Sequence, residues 1–261
     1  MPISKATHAL SSLHDWEKYA PPKSPNHWVD GRSAKEVARA WLEGNGLHMP
    51  PEVLHALSSH PSFGQVLSWE AEPEARLRFD AFPGEPRNSD LVVYANDASG
   101  PYILAVEAKA DEPYGETLAE AFSAAIERRI ENPRSNGIAR IEQLARWLLL
   151  PRPQTAPKAA LLRYQLFTAC AGAVAEASRM KCSRAVMLVH EFITSATDDI
   201  NHKRNASDLG AFLTRLSGND VASIDDGKLY GPFQTSMASD VQLFVGKVSR
   251  ILRTGANSPS P

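Results

Sequence analysis

Between Arg184 and Ile193 the chain passes through Ala185, Val186, Met187, Leu188 and Val189 without presenting a polar side. A strand that is apolar on both faces must be covered on both, as an interior strand of a helix-flanked sheet is. The run therefore predicts a central strand and requires helices enough for two layers. The chain has that capacity: 261 residues, 43% hydrophobic and 22% charged, describe an ordinary globular protein able to bury a core without staples. No apolar run nears the roughly 18–20 residues of a bilayer-spanning helix. Met1 to Leu13 lacks the continuous apolar segment of a secretory leader, so a cytoplasmic location and no membrane partner are expected. Cys170 and Cys182 are too few for a disulfide framework or a four-thiolate zinc site and read as reduced, buried thiols.

Residues 1–30, with Pro21, Pro22 and Pro25, show no sustained period and read as an extended arm. Ser33 and Glu36 have the spacing of a capping box ahead of Val37, Ala40 and Trp41, and a second short helix opens at Pro50-Pro51. Phe63 to Trp69 reads as a helical or turn-like approach to the sheet. From Ala75 the period shortens to two, with Leu77 and Phe79 alternating against Arg76, Arg78 and Asp80. Asp90 to Ala95 and Tyr102 to Lys109 follow as strands joined by a hairpin loop, which makes a three-stranded meander. Helical spacing returns at Leu118 to Ile126, Ile138 to Leu148 and Ala160 to Met180, before the apolar strand. Ser207 with Asp208 reads as the cap of a helix through Leu216, and Val241 to Val245 as a last strand. The order predicts one α/β domain over 31–250, a mixed central sheet flanked by helices with an N-terminal helical portion, and a disordered tail over 251–261.

Glu107 and Lys109, two apart on a strand, share a face. With the hairpin loop centred near Ser99, residue 90 falls opposite roughly residue 108, which brings Asp90 beside Glu107 and Lys109. Two neighbouring carboxylates repel unless a cation compensates them. Mg²⁺ is commonly held by one or two carboxylates with waters, so Asp90, Glu107 and the backbone carbonyl of Ala108 make a plausible open metal site. Lys109 beside it is placed to orient or help deprotonate an attacking water. The plainer alternative is a surface ion pair between Glu107 and Lys109, with Asp90 capping a turn.

At these residues the sequence resembles the PD-(D/E)XK nuclease superfamily, the restriction-endonuclease-like fold, in a bacterial branch with an N-terminal helical portion. The matching pieces are Asp90, Glu107-Ala108-Lys109, the helix after them, and the strand Arg184 to Ile193; the resemblance spans about Glu70 to Phe192. Ser89 stands where the family's motif has proline. The resemblance implies a restriction-endonuclease-like core, Asp90 and Glu107 as ligands of Mg²⁺ (Mn²⁺ as substitute), and Lys109 as the catalytic lysine. It also implies an acid from a helix before the first strand, for which Glu70 and Glu72 are candidates. Nucleic acid, DNA foremost, is the partner implied, and pairing into a homodimer is an option.

Gln165, at the start of the long helix, is a further candidate for touching substrate or a water near the metal, against a plain helix-end hydrogen bond. Asp111, Glu112 and Glu116 are explained by the preference of a helix's first turn for acids. Eight basic residues between Arg128 and Arg163, against Glu131 and Glu142, form either a solvated face or a phosphate-facing surface. No zinc spacing joins His190, Glu191 and His202, and no phosphate-binding glycine loop or serine-hydrolase motif is present. Two functions of different class follow: a Mg²⁺-dependent DNA nuclease, or a non-catalytic binding protein that keeps the nuclease-like fold. The near-neutral charge, 28 basic against 30 acidic side chains, motivates the second.

Overall fold

The computed structural model describes residues 2–46, 48–149, 156–218, 221 and 223–252. It is a mixed α/β fold in which helices flank a central six-stranded sheet. The sheet is made of β3 (Ser68–Leu77), β4 (Arg87–Asp97), β5 (Gly100–Lys109), β6 (Arg184–Ile193), β7 (Lys228–Gln234) and β8 (Gln242–Ile251), in the order β3-β4-β5-β6-β8-β7. The first three form the antiparallel meander; β6 runs parallel to β5, β8 parallel to β6, and β7 antiparallel to β8. The apolar run that predicted a central strand is β6, buried from Arg184 to Phe192.

Helices α4 (Leu118–Glu131), α5 (Gly137–Leu148), α6 (Tyr164–Arg179) and α7 (Asp199–Ser217) contribute to one core, with Ile103, Ala105, Met187 and Val245 of the sheet. Helices α2 (Ser33–Leu42) and α3 (Pro51–Ser58) pack on the other face, against Leu104, Val106, Leu188 and Phe244. Cys170 and Cys182 are free and buried. Among the described residues no helix is long and apolar enough to cross a membrane.

Several local expectations change. The segment read as an extended arm is not one: its described residues, from 2 on, form a short hairpin of β1 (Ser4–Lys5) and β2 (His8–Ala9) and then α1 (Leu13–Tyr19). Ile3, Leu10 and Trp16, spaced too irregularly to show a period, are buried in the second core. Ser33 lies inside α2 and Arg32 is its cap residue, so Ser33 and Glu36 make no capping box. Glu36 instead accepts from the Gly31 amide at 2.7 Å and Arg39 at 2.7 Å. A capping box does close the start of α4, where Thr117 and Glu120 bond reciprocally. β3 begins at Ser68 rather than Ala75, so Phe63 to Trp69 does not lead in as a helix. Helix α7 starts eight residues ahead of Ser207, with Asp198 capping the Ile200 amide at 2.8 Å. β8 extends to Ile251, into the segment read as a tail; residues 253–261 lie outside the described residues.

The closed end of the β4–β5 hairpin is tied to β6 by a buried ion pair. Asp97 accepts from Arg184 at 2.7 and 2.8 Å and from the amides of Gly64 and Ser99 at 2.9 and 2.8 Å. Those bonds, Arg184's foremost, hold its carboxyl down at about 2. Removing one partner of such a pair strands the other charge, so Asp97→Ala is expected to lower stability at neutral pH by about 3–5 kcal/mol. A depressed carboxyl stabilises the fold above its unfolded value near 4 and stops doing so as pH falls to about 2. Urea unfolding of the two proteins should therefore diverge at pH 7 and converge toward pH 2.

Candidate active site

Three adjacent strands bring three carboxylates to one end of the sheet. The β4–β5 register pairs Leu91 with Val106 and Asp97 with Gly100, so the loop is Ala98-Ser99 and Asp90 stands across from Glu107 itself. The expected partner, residue 108, was one position off. On the other side, Pro73 pairs with Leu91 and Ala75 with Ser89, which sets Glu74 across from Asp90. Glu74 has a left-handed backbone, φ 49°. Ala71 before it belongs to one core and Ala75 and Leu77 after it to the other, so the strand turns over at this residue.

Glu70 and Glu72 lie on β3, not on a helix, and neither joins the carboxylates: Glu70 is exposed and Glu72 pairs with Lys5 at 2.9 Å. Glu74 takes the place expected of them. Its carboxylate accepts from Asn88, and its backbone carbonyl accepts from Lys5 at 2.8 Å.

Glu107 is the most enclosed of the three. Period two along β5 places it beyond Ile103 and Ala105, on the face covered by α6. There Oε1 accepts from Lys109 Nζ at 3.1 Å and from Gln165 Nε2, while Oε2 accepts from Arg87 Nη2. Arg87 is held in turn by Thr168 of α6 at 2.9 Å. Gly172 lets that helix come close enough: a Cβ there would meet Leu77 at 3.3 Å and the Arg87 Cδ at 3.4 Å. Glu107 and Lys109 are 3% and 7% exposed, so the ion pair is real but buried, unlike the surface pair of the plainer reading. Asp90 is partly exposed, and its Oδ2 accepts from the Ala108 amide at 2.7 Å.

The segment after β5 is a loop rather than a helix's first turn, because α4 begins only at Leu118. Its acids latch the N-terminal portion down: Asp111 pairs with Arg32 at 2.8 Å, and Glu112 accepts from the Ser33 hydroxyl at 3.2 Å and the Ala110 amide at 2.6 Å. The result is a cavity of about 410 Å³ with Glu74, Asp90, Glu107 and Lys109 on one wall and Lys23, His27 and Ser33 on another.

The carboxylates do not share charge equally. Burial, then the negative charge of Glu107, pushes the Asp90 carboxyl up to about 8, and burial raises Glu74 to about 7. Burial acts on Glu107 too, but Lys109 and Arg87 overcome it and hold its carboxyl below the ordinary value. Near neutral pH the site thus favours one full carboxylate at the end of the row, next to two that resist ionising.

Among the described residues no group of three or more His, Cys, Asp or Glu side chains is arranged to hold a metal ion. Asp90, Glu107 and the Ala108 carbonyl nevertheless have the donor chemistry Mg²⁺ takes, since that ion is commonly bound by one or two carboxylates with waters. Asp90 Oδ1 accepts no hydrogen bond from the described residues, whereas both Glu107 oxygens already have donors. At this same end of the sheet β6 sets His190 across from Ala108 and Glu191 across from Lys109; His190 faces Glu52 at 2.9 Å and His202 faces Glu191 at 2.9 Å, in separate pairs.

The basic stretch is not a uniform phosphate surface. Arg140 pairs with Asp80 at 2.6 Å, Arg146 with Glu142 at 2.6 Å and Arg163 with Asp208 at 2.8 Å. Arg128 and Arg134 make no ion pair among the described residues, and Arg152 lies outside them. Sequence reasoning missed Glu74, Arg87 and Asn88, and set Glu112 aside as an acid of a helix's first turn. Arg87 and Asn88 open the same strand as Asp90 but follow Pro83 and Pro86, which made the turn look longer than it is.

Residues 9–251 match the family described as a domain of unknown function, DUF6946, and the chain belongs to that family. No curated protein and no solved structure matches it.

Two substitutions in this cluster should have opposite effects on stability. Asp90→Asn supplies permanently the neutral form that the fold favours. Because the folded carboxyl is raised, the native protein loses stability as pH climbs from about 4 to about 8. In chelator the variant should match the wild type near pH 3 and be more stable by about 1–2 kcal/mol at pH 8.5. Glu107→Gln strands Arg87 and Lys109 and should cost about 3 kcal/mol or more. Thermal melts across pH check both.

Proposed function

We propose that the protein is a Mg²⁺-dependent nuclease that hydrolyses DNA phosphodiester bonds, with Mn²⁺ as a substitute, and that its core is restriction-endonuclease-like. The observation that carries the reading is the row Glu74, Asp90, Glu107 across three neighbouring strands, with the Lys109 ammonium on the innermost carboxylate. The chain order supports it too: an antiparallel meander, helices, then a strand parallel to the meander's last.

Asp90 and Glu107, with the Ala108 carbonyl, are the residues that would hold the ion. A bound Mg²⁺ lowers the pKa of water and offsets negative charge on a phosphoryl oxygen. Lys109 supplies a positive charge that Glu107 fixes in place, suited to orienting the attacking water and to stabilising charge that grows on the phosphate in the transition state. Gln165 holds Glu107 Oε1 from α6, a positioning role that keeps the carboxylate aligned. The raised Asp90 carboxyl gives a cation a protonated competitor, so ion binding should release a proton near neutral pH.

The test is cleavage of plasmid and oligonucleotide DNA with Mg²⁺ or Mn²⁺ against the same reaction in chelator. Asp90→Asn is the informative variant because it keeps the neutral form that the fold favours and is expected to fold normally. It should reduce cleavage by about 100-fold or more, equivalent to about 2.7 kcal/mol in the barrier, with an unimpaired melt. Undiminished cleavage by this variant refutes the assignment.

One observation favours a second reading, a non-catalytic binding protein of the same fold: Arg87, Gln165 and Lys109 already satisfy both oxygens of Glu107. Calorimetric titration with Mn²⁺ separates the two. Heat that vanishes in Asp90→Asn supports the nuclease, and no heat in the wild type supports the binding protein.

A further inference from the structure

The carboxylate cavity does not stand alone. Arg87 is also a wall of a second cavity, of about 180 Å³, lined by Phe79, Arg140, Tyr164 and Thr168. Arg140 and Tyr164 border in turn a wider furrow of about 1030 Å³ that reaches Arg128 and Arg134. The three form one path leading from Asp90 and Glu107, past Arg87 and the Tyr164 ring, to Arg128 and Arg134.

The small middle cavity is rigidly built. Arg78 donates to the carbonyls of Phe82 and Gly84 at 2.8 and 2.7 Å, Asp80 accepts from the Phe82 amide at 3.0 Å, and Arg140 is fixed on Asp80. The carboxylates themselves are recessed. Glu107 is buried, and the segment containing Lys23, His27 and Ser33 also lines the cavity, latched through Arg32 and Ser33. A duplex carries its phosphates on the outside of a wide rod, which suits an open surface. A single strand is narrow and can splay a base aside, and such bases stack on aromatic rings and guanidinium planes.

Resting on the nuclease reading, we infer that the substrate is single-stranded DNA, bound with one unstacked base in the cavity beside Tyr164 and the following phosphates along Arg128 and Arg134. Arg87, shared by the base cavity and the carboxylate cavity, is then the residue that positions the nucleotide next to the scissile phosphate. This assignment makes Tyr164, a half-buried ring that packs on the core and begins α6 within the path, a stacking surface.

The test uses the full chain and a fluorescent 12-nucleotide DNA, single-stranded or annealed to its complement. Affinity is read by anisotropy in chelator and cleavage is read separately with Mn²⁺. The single strand should bind at least tenfold more tightly than the blunt duplex. Tyr164→Leu should weaken single-strand binding by about tenfold with little change for the duplex, and Tyr164→Phe should restore it. Equal affinity for both forms in the wild type overturns the inference whether or not the variant folds, as does a folded Tyr164→Leu that binds like the wild type. Cleavage of duplex at least as fast as of single strand overturns it while leaving the nuclease reading in place. Tight, Tyr164-dependent single-strand binding without cleavage sustains the pocket and removes the nuclease.

Discussion

A carboxylate at the end of a buried strand is the constraint around which this molecule is organised. β5 runs through the sheet with both faces covered, so Glu107 emerges into protein rather than water. An isolated charge there is prohibitive, and burying it requires partners from more than one element. Lys109 comes from the same strand, Arg87 from the start of β4 and Gln165 from the first turn of α6. Those partners fix the meander's open end against α6, with Gly172 and Thr168 setting the approach of that helix. The opposite end of the hairpin is solved the same way, by Arg184 on Asp97. The hairpin is thus clamped at both ends by buried charge and filled between them by apolar side chains.

The asymmetry among the three acids follows from where the cations lie. Lys109 and Arg87 both face Glu107, and their charge is largely spent there. Asp90 receives one backbone amide and Glu74 one side-chain amide, too little to offset burial and the charge of their neighbour. An arrangement evolved for stability alone gains nothing from three such carboxyls in a row, two of which resist ionising. Their coexistence makes the cavity a place where added positive charge is favourable, and that property is independent of which cation or reaction is assigned to it.

The sequence disclosed the pair Asp90 and Glu107 because antiparallel pairing is arithmetic: once a loop is placed, every partner follows, and an error of one residue shifted the pairing without separating the side chains. Gln165 was legible as a polar residue opening an apolar helix. Glu74 was not, because strand recognition relies on strict alternation and the left-handed residue turns β3 over at that point, with Pro73 beside it. The N-terminal portion escaped for a related reason. Ile3, Leu10 and Trp16 are anchors of a segment that packs by isolated side chains, and such anchoring has no period to detect. Lengths failed where caps did: Asp198 starts α7 by an ordinary aspartate cap, but Ser207 and Asp208, farther along, imitate the same signal.

Arg87 is where the two functional readings meet. Its guanidinium donates to Glu107 Oε2, an oxygen that a divalent ion held by this carboxylate would also take. A guanidinium cannot lose its charge at any physiological pH, so it leaves Glu107 only if another anion receives it. A phosphate is such an anion and binds the planar fork in two places at once. On the nuclease reading the two ligands would be coupled: a phosphate that received Arg87 would leave Glu107 available to a cation. The contacts that close Glu107 onto itself would then be a resting form; on the binding-protein reading they are the working form.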